Sequence, residues 1–133
     1  MAAEQNRAGP AHPTSDALPR PGGHYSHVSV ANGFVFVAGQ LPITAAGEKL
    51  TGRPFPEQAR QVLRNLEAAL AAAGSGIGKL VQIRVYVDDI AHWPAFDEIY
   101  AQWAGSAKPA RAVVPTGPLH FGLKLEIEAV ALV

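Results

Sequence analysis

Asn32-Gly33 stands between "YSHVSVA" and "FVFVAGQLPI", two short runs in which apolar residues recur at alternate positions. Asn-Gly accepts positive φ at both central positions of a two-residue loop, so this pattern predicts a β-hairpin. In the second arm Phe34, Phe36 and Ala38 share one side and Val35 and Val37 the other. Both sides are apolar, so both are expected to be covered.

The next segment, "PFPEQARQVLRNLEAALAAAG", carries Ala59, Val62, Leu63, Leu66, Ala69, Leu70 and Ala73 at helical spacing, with Arg60, Arg64 and Glu67 off that stripe. Pro56 suits its first turn and Gly74 its end. In "KLVQIRVYVDD", Val81, Ile83, Val85 and Val87 alternate with Gln82, Arg84 and Tyr86, which predicts a strand with one face in the core. A second helix is expected in "AHWPAFDEIYAQWAG", with Phe96, Ile99, Tyr100 and Trp103 inward. Two strands, about 111–115 and 124–133, close the chain. The order β-β-α-β-α-β-β predicts an α+β sandwich, one sheet with two helices on one face.

The last strand limits what the second face can be. Leu123, Leu125, Ile127, Ala129 and Ala131 should meet the helices, leaving Lys124, Glu126, Glu128, Val130 and Leu132 opposite. A face that is charged at one end and apolar at the other suits a subunit interface containing a polar pocket. Eleven basic residues balance eleven acidic ones, which argues against a nucleic-acid binder acting through bulk charge. The chain has no cysteine, so disulfides and thiol chemistry are excluded. It shows neither a signal-peptide pattern nor an apolar run of spanning length, and a cytoplasmic protein without membrane contact is expected. Ala, Pro and Gly dominate residues 1–22, which read as a flexible arm preceding a domain over 23–133.

Few residues form a recognisable chemical constellation. His12, His24, His27, His92 and His120 lack metal-ligand spacing and read as loop or surface residues. "AAAGSGIGK" ends a helix, so its glycines read as a cap and turn and not as a phosphate loop. Ser26, Ser29, Ser75 and Ser106 lack a nucleophile-elbow context. Arg111 remains, at the start of a short apolar strand where a guanidinium needs an anion. That anion is a carboxylate ligand or an internal partner, Glu126 or Glu128, unless Arg111 is simply exposed.

Five separated segments, "GHYSHVSVANGFVFVAGQLP", "PEQARQVLRNLEAALAAAG", "VYVDDIAHWPAFDEIYAQW", "PARAVV" and "LEIEAVA", resemble those of the RidA/YjgF reactive-intermediate deaminases, also labelled L-PSP proteins, in their order and spacing. The resemblance runs from about Gly22 to Val133. It implies a chorismate-mutase-like fold with a mixed sheet, a homotrimer with sheets packed inward, and active sites between subunits. The implied activity is hydrolysis of enamine or imine intermediates, such as 2-aminoacrylate or 2-iminobutanoate, to a 2-keto acid and ammonia, without metal or organic cofactor. By that resemblance Arg111 grips the substrate carboxylate, Glu126 orients the attacking water, Tyr25 closes the cleft and Gly39 lines it. Glu128 is left a structural or interface role.

The chain departs from the family pattern where the site should be. Ala38 stands in place of a serine, Val113 of a cysteine, Asp97 of an asparagine and His24 of a proline. A carboxylate at Asp97 near Arg111 would compete with an anionic substrate or select one bearing an extra amino group. These departures keep open a non-catalytic, carboxylate-binding or chaperone-like trimer. A ribonuclease or translation inhibitor, an older label for such proteins, fits the balanced charge least.

Overall fold

The computed structural model describes residues 9–133. The hairpin forms where the Asn-Gly pair placed it. β1 (Val28–Ala31) and β2 (Phe34–Gln40) are antiparallel, and Asn32 and Gly33 have φ of 53° and 78°. Then follow α1 (Phe55–Ala72), β3 (Leu80–Val87), α2 (Trp93–Ala104), β4 (Ala110–Pro115) and β5 (Leu125–Leu132). One mixed five-stranded sheet results, in the order β1-β2-β5-β3-β4. Only β3 and β4 run parallel, and α2 is the crossover that a parallel pair requires.

Both helices cover the same face. The stripe of α1 meets Val35 and Val37 of β2, Ile83, Val85 and Val87 of β3, and Leu125, Ile127, Ala129 and Ala131 of β5, with Phe96 and Tyr100 closing the core from α2. On α1 the polar Gln58 and Asn65 are buried as well. Asn65 donates to the carbonyls of Leu41 and Ile43 at 3.0 and 2.9 Å, and Gln58 accepts from the Lys124 N–H at 2.9 Å. These amides tie two irregular segments to the helix.

Two expectations need correction. Val81 does not join the buried side of β3: it is 41% exposed, because the register with β5 shifts between Leu80 and Gln82 and turns the extra residue outward. Nor is the segment read as a flexible arm loose over its described part, 9–22. Ala11 exchanges two backbone hydrogen bonds with Val30 along the outer edge of β1, and Leu18 is buried in the core. An apolar anchor and a paired strand edge outweigh the Pro- and Gly-rich composition. Residues 1–8, the rest of that arm, lie outside the described residues.

The face away from the helices carries Phe34 and Phe36, 41% and 48% exposed, and Leu132, 46% exposed, beside Val130. The side of β2 that carries Phe34 and Phe36, expected to be covered, is thus open in the single chain. At its other end the same face carries Glu126, Glu128, Arg84 and Tyr86.

Candidate functional site

A one-residue irregularity shapes the polar end of the open face. Val37 pairs with Ala129 but Gln40 with Ile127, so β2 fits three steps against two and bulges at Ala38-Gly39. The bulge brings the Gly39 backbone against Glu126. A Cβ at residue 39 would lie 2.6 Å from Glu126 Oε2 and 2.9 Å from its Cδ. Glycine is favoured here by close approach and not by backbone conformation. Burial raises the pKa of Glu126; His120 opposes that shift, and Glu128 adds to it.

Beside Gly39 opens a cavity of about 500 Å³, lined among others by Tyr25, His27, Arg20, Lys49 and Phe121. Tyr25 is half exposed at its rim, edge-on to the His27 ring at 5.9 Å. His27 is not a bystander. Its Nε2 lies 2.7 Å from the Pro19 carbonyl and its Nδ1 3.0 Å from the buried Gln40 amide nitrogen. This arrangement selects the Nε2–H tautomer, with Nδ1 accepting from Gln40. Gln40 also donates to the Ala38 carbonyl at 3.1 Å, so the bulge, His27 and the preceding loop form one network. Lys49 Nζ sits 4.5 Å from the centre of the Phe121 ring.

Arg111 belongs to a different cluster. It pairs with Ile83 and so points to the helix side of β4, the outermost strand. Its Nη1 donates to Asp97 Oδ1 at 2.8 Å, and its guanidinium carbon lies 4.8 Å from the centre of the Tyr100 ring. Val113 packs on the same side against the core. Burial raises the Tyr100 pKa, with Arg111 working against the shift. The internal partner of Arg111 is thus neither Glu126 nor Glu128. Glu128 instead accepts from the Tyr86 hydroxyl at 2.6 Å and lies 3.5 Å from Arg84. Its bond raises the Tyr86 pKa.

The structure therefore gathers Tyr25, Ala38, Gly39 and Glu126 at one place and Arg111, Asp97 and Val113 at another. Within one chain the two sets face opposite sides of the sheet. Reading the residues alone missed Tyr100, taken as core; His27 and Gln40, joined across thirteen positions; and Lys49, Arg20 and Phe121 around the cavity. Among the described residues no group of His, Asp or Glu is placed to hold a metal ion. Among the described residues no helix is long and apolar enough to cross a membrane.

The sequence profile described as endoribonuclease L-PSP matches residues 15–133. A RutC family protein of Pyrococcus horikoshii is 37% identical over 117 residues, covering 88% of this chain and 93% of its own. Protein HMF1 of Saccharomyces cerevisiae is 32% identical, over 87% of this chain and 89% of its own. Among solved structures, yeast Mmf1 superposes with a TM-score of 0.89 at 30% identity, covering 93% of this chain and 98% of that one. Escherichia coli TdcF with bound serine reaches 0.86 at 28% identity, covering 92% and 98%. With a profile spanning nearly the whole chain and the same sheet-and-helix arrangement throughout, the protein belongs to the L-PSP family, also called RidA/YjgF.

Proposed function

We propose that this protein hydrolyses 2-imino and 2-enamino acids to 2-keto acids and ammonia, at sites completed by a neighbouring copy in a homotrimer. One observation carries this reading above the others: a half-buried carboxylate, Glu126, is seated against the backbone of Gly39, which itself lines a cavity large enough for a small acid. A carboxyl group with a raised pKa holds protons tightly enough to take one from water and return it.

The chemistry divides between the two clusters. Arg111 offers a guanidinium fork to the substrate carboxylate, four of its five N–H donors having no partner among the described residues. Glu126 takes a proton from the attacking water as its oxygen bonds to C2, and the C=N electron pair moves to nitrogen. Glu126 returns that proton to the nitrogen, and then carries the proton of the new C2 hydroxyl to the same nitrogen as the C2–N bond breaks, so that ammonia leaves and the C2–O bond becomes the keto group. Tyr25, at the cavity rim, would limit access of bulk water. No step calls on a metal or an organic cofactor.

A single chain holds Arg111 and Glu126 on opposite sides of its sheet, so one subunit cannot supply both to one substrate. The exposed Phe34, Phe36 and Leu132 give the second copy an apolar surface to bury. The serine seen in TdcF is a small carboxylate bearing a nitrogen at C2, the class of ligand this arrangement fits. Location in the cytoplasm accords with this activity, although a relative, Mmf1, is described as mitochondrial.

The test generates 2-iminobutanoate or 2-aminoacrylate in situ with a dehydratase and follows keto-acid release. Added protein should accelerate release and Arg111→Ala should abolish the acceleration; no gain over buffer would sink the reading. A second reading, a non-catalytic binder of small carboxylates, is favoured by the occupation of Arg111 by Asp97. It predicts ligand binding with no turnover in the same assay.

A further inference from the structure

Asp97 stands where an amide is usual in the family, and it spends its charge on the one arginine proposed to hold substrate. A plain anion site would be weakened by such a neighbour. The pair nevertheless has a second property. Arg111 Nη1 and Asp97 Oδ1 lie side by side at 2.8 Å, presenting a donor and an acceptor at nearly the spacing of a ligand's own charges. In a 2-amino or 2-imino acid the C2 nitrogen and the nearer carboxylate oxygen are roughly 2.7 Å apart by ordinary bond lengths.

We infer that Asp97 converts the anion site of this chain into a zwitterion site: Arg111 holds the carboxylate while Asp97 accepts an N–H from the C2 nitrogen. The inference rests on the deaminase reading and names the form of substrate the site prefers, the protonated 2-iminium acid over the neutral enamine. Three observations support it. Asp97 Oδ2 makes no hydrogen bond among the described residues, so an acceptor remains after Arg111 is served. The Asp97 side chain is 43% exposed against 21% for Arg111, so the acidic member is the more open of the two. The Arg111 guanidinium carbon lies 4.8 Å from the centre of the Tyr100 ring, a cation–π contact that favours keeping Arg111 beside Asp97.

The consequence for the reaction is specific. Water attacks C2 of an iminium more readily than that of a neutral imine, because the nitrogen already carries the proton it needs to receive the C=N electron pair. Asp97 stabilises that cation before attack and is released from it when ammonia departs. It touches substrate and is in that sense catalytic.

Calorimetry on the intact oligomer tests this with two ligands of one carbon skeleton, 2-oxobutanoate, which has no N–H, and 2-aminobutanoate, which has an ammonium. Wild type should favour the amino acid, and Asp97→Asn should shift the ratio of dissociation constants toward the keto acid by roughly tenfold or more, the scale of one charge-assisted hydrogen bond. Asp97→Ala should shift it at least as far. In turnover of 2-iminobutanoate, Asp97→Asn should lower kcat by a larger factor than it changes KM, because freeing Arg111 and losing the acceptor act on binding in opposite directions. An unchanged binding ratio in variants that still bind 2-oxobutanoate would overturn the inference and leave the deaminase reading standing. Failure of wild type to bind either ligand, or binding indifferent to Arg111→Ala, would remove both.

Discussion

Replacing Gly39 by alanine probes the contact that seats Glu126, the residue proposed to activate water. The new methyl group would lie 2.6 Å from Glu126 Oε2, 2.9 Å from Cδ and 3.2 Å from Cγ, about 0.8 Å short of ordinary contact at the worst point. Gly39 does not have a positive φ, so the substitution adds no backbone strain and its whole effect passes through Glu126. The carboxylate is the end of a flexible side chain and can swing aside, which limits the loss of stability to about 1 kcal/mol. Activity has less room to adjust: a displacement of about 1 Å in a positioned group lowers turnover by roughly 10²-fold. Urea denaturation and kcat would be measured for Gly39→Ala, Glu126→Ala and the double variant. Because Glu126→Ala deletes every atom the methyl would strike, Gly39→Ala should have little effect on stability in that background. An equal loss of stability in both backgrounds, or near-wild-type turnover for Gly39→Ala, would refute the reasoning.

Four further outcomes are expected. Asn65→Ala should lower stability by about 1–3 kcal/mol in urea titration, since two backbone carbonyls each lose the Asn65 donor, the Leu41 carbonyl keeping only the Ile43 N–H. The rising limb of kcat/KM against pH should lie above the ordinary glutamate value of 4.5, because burial holds the proton on Glu126, and Glu126→Gln should remove it. Over the same window the folded state binds a proton that the unfolded chain has released, so the contribution of Glu126 to stability falls as pH rises through its folded pKa, and Glu126→Gln should flatten that slope. Phe36→Asp, which places a charge at the centre of the exposed apolar patch, should shift the protein to monomer in light scattering and abolish activity while the circular dichroism is kept.

How far the residues speak for themselves depends on the range of the interaction. Asn32-Gly33 declared its turn because two positive φ values are a local demand. The stripe of α1 and the alternation of β5 were equally legible, since burial repeats with the period of the element. Register shifts were not: nothing in "FVFVAGQ" marks the extra residue that sets Gly39 against Glu126, and nothing in "KLVQI" marks the one that turns Val81 outward. Such bulges are decided by the partner strand, β5, which lies more than forty residues away in either case. Alternation offered Glu126 and Glu128 as partners for Arg111, yet placed neither across the sheet from it. Asp97 drew notice through the family resemblance, and its 2.8 Å contact depends on the crossover that lays α2 over β4. Nothing local marks the amides of Gln58 and Asn65 as buried, because the loops they secure lie elsewhere in the chain.

The placement of Arg111 and Glu126 on opposite sides of one sheet has a genetic corollary. If each site draws its arginine from one subunit and its glutamate from the next around a ring, then a chain lacking only Arg111 and a chain lacking only Glu126 are each inactive alone but repair one another when they co-assemble. Every mixed ring of three would contain one site with both groups intact, so equal amounts combined at random would recover about a quarter of the wild-type sites. Two null alleles would thus yield a working cell, and a chain damaged in both residues would rescue neither.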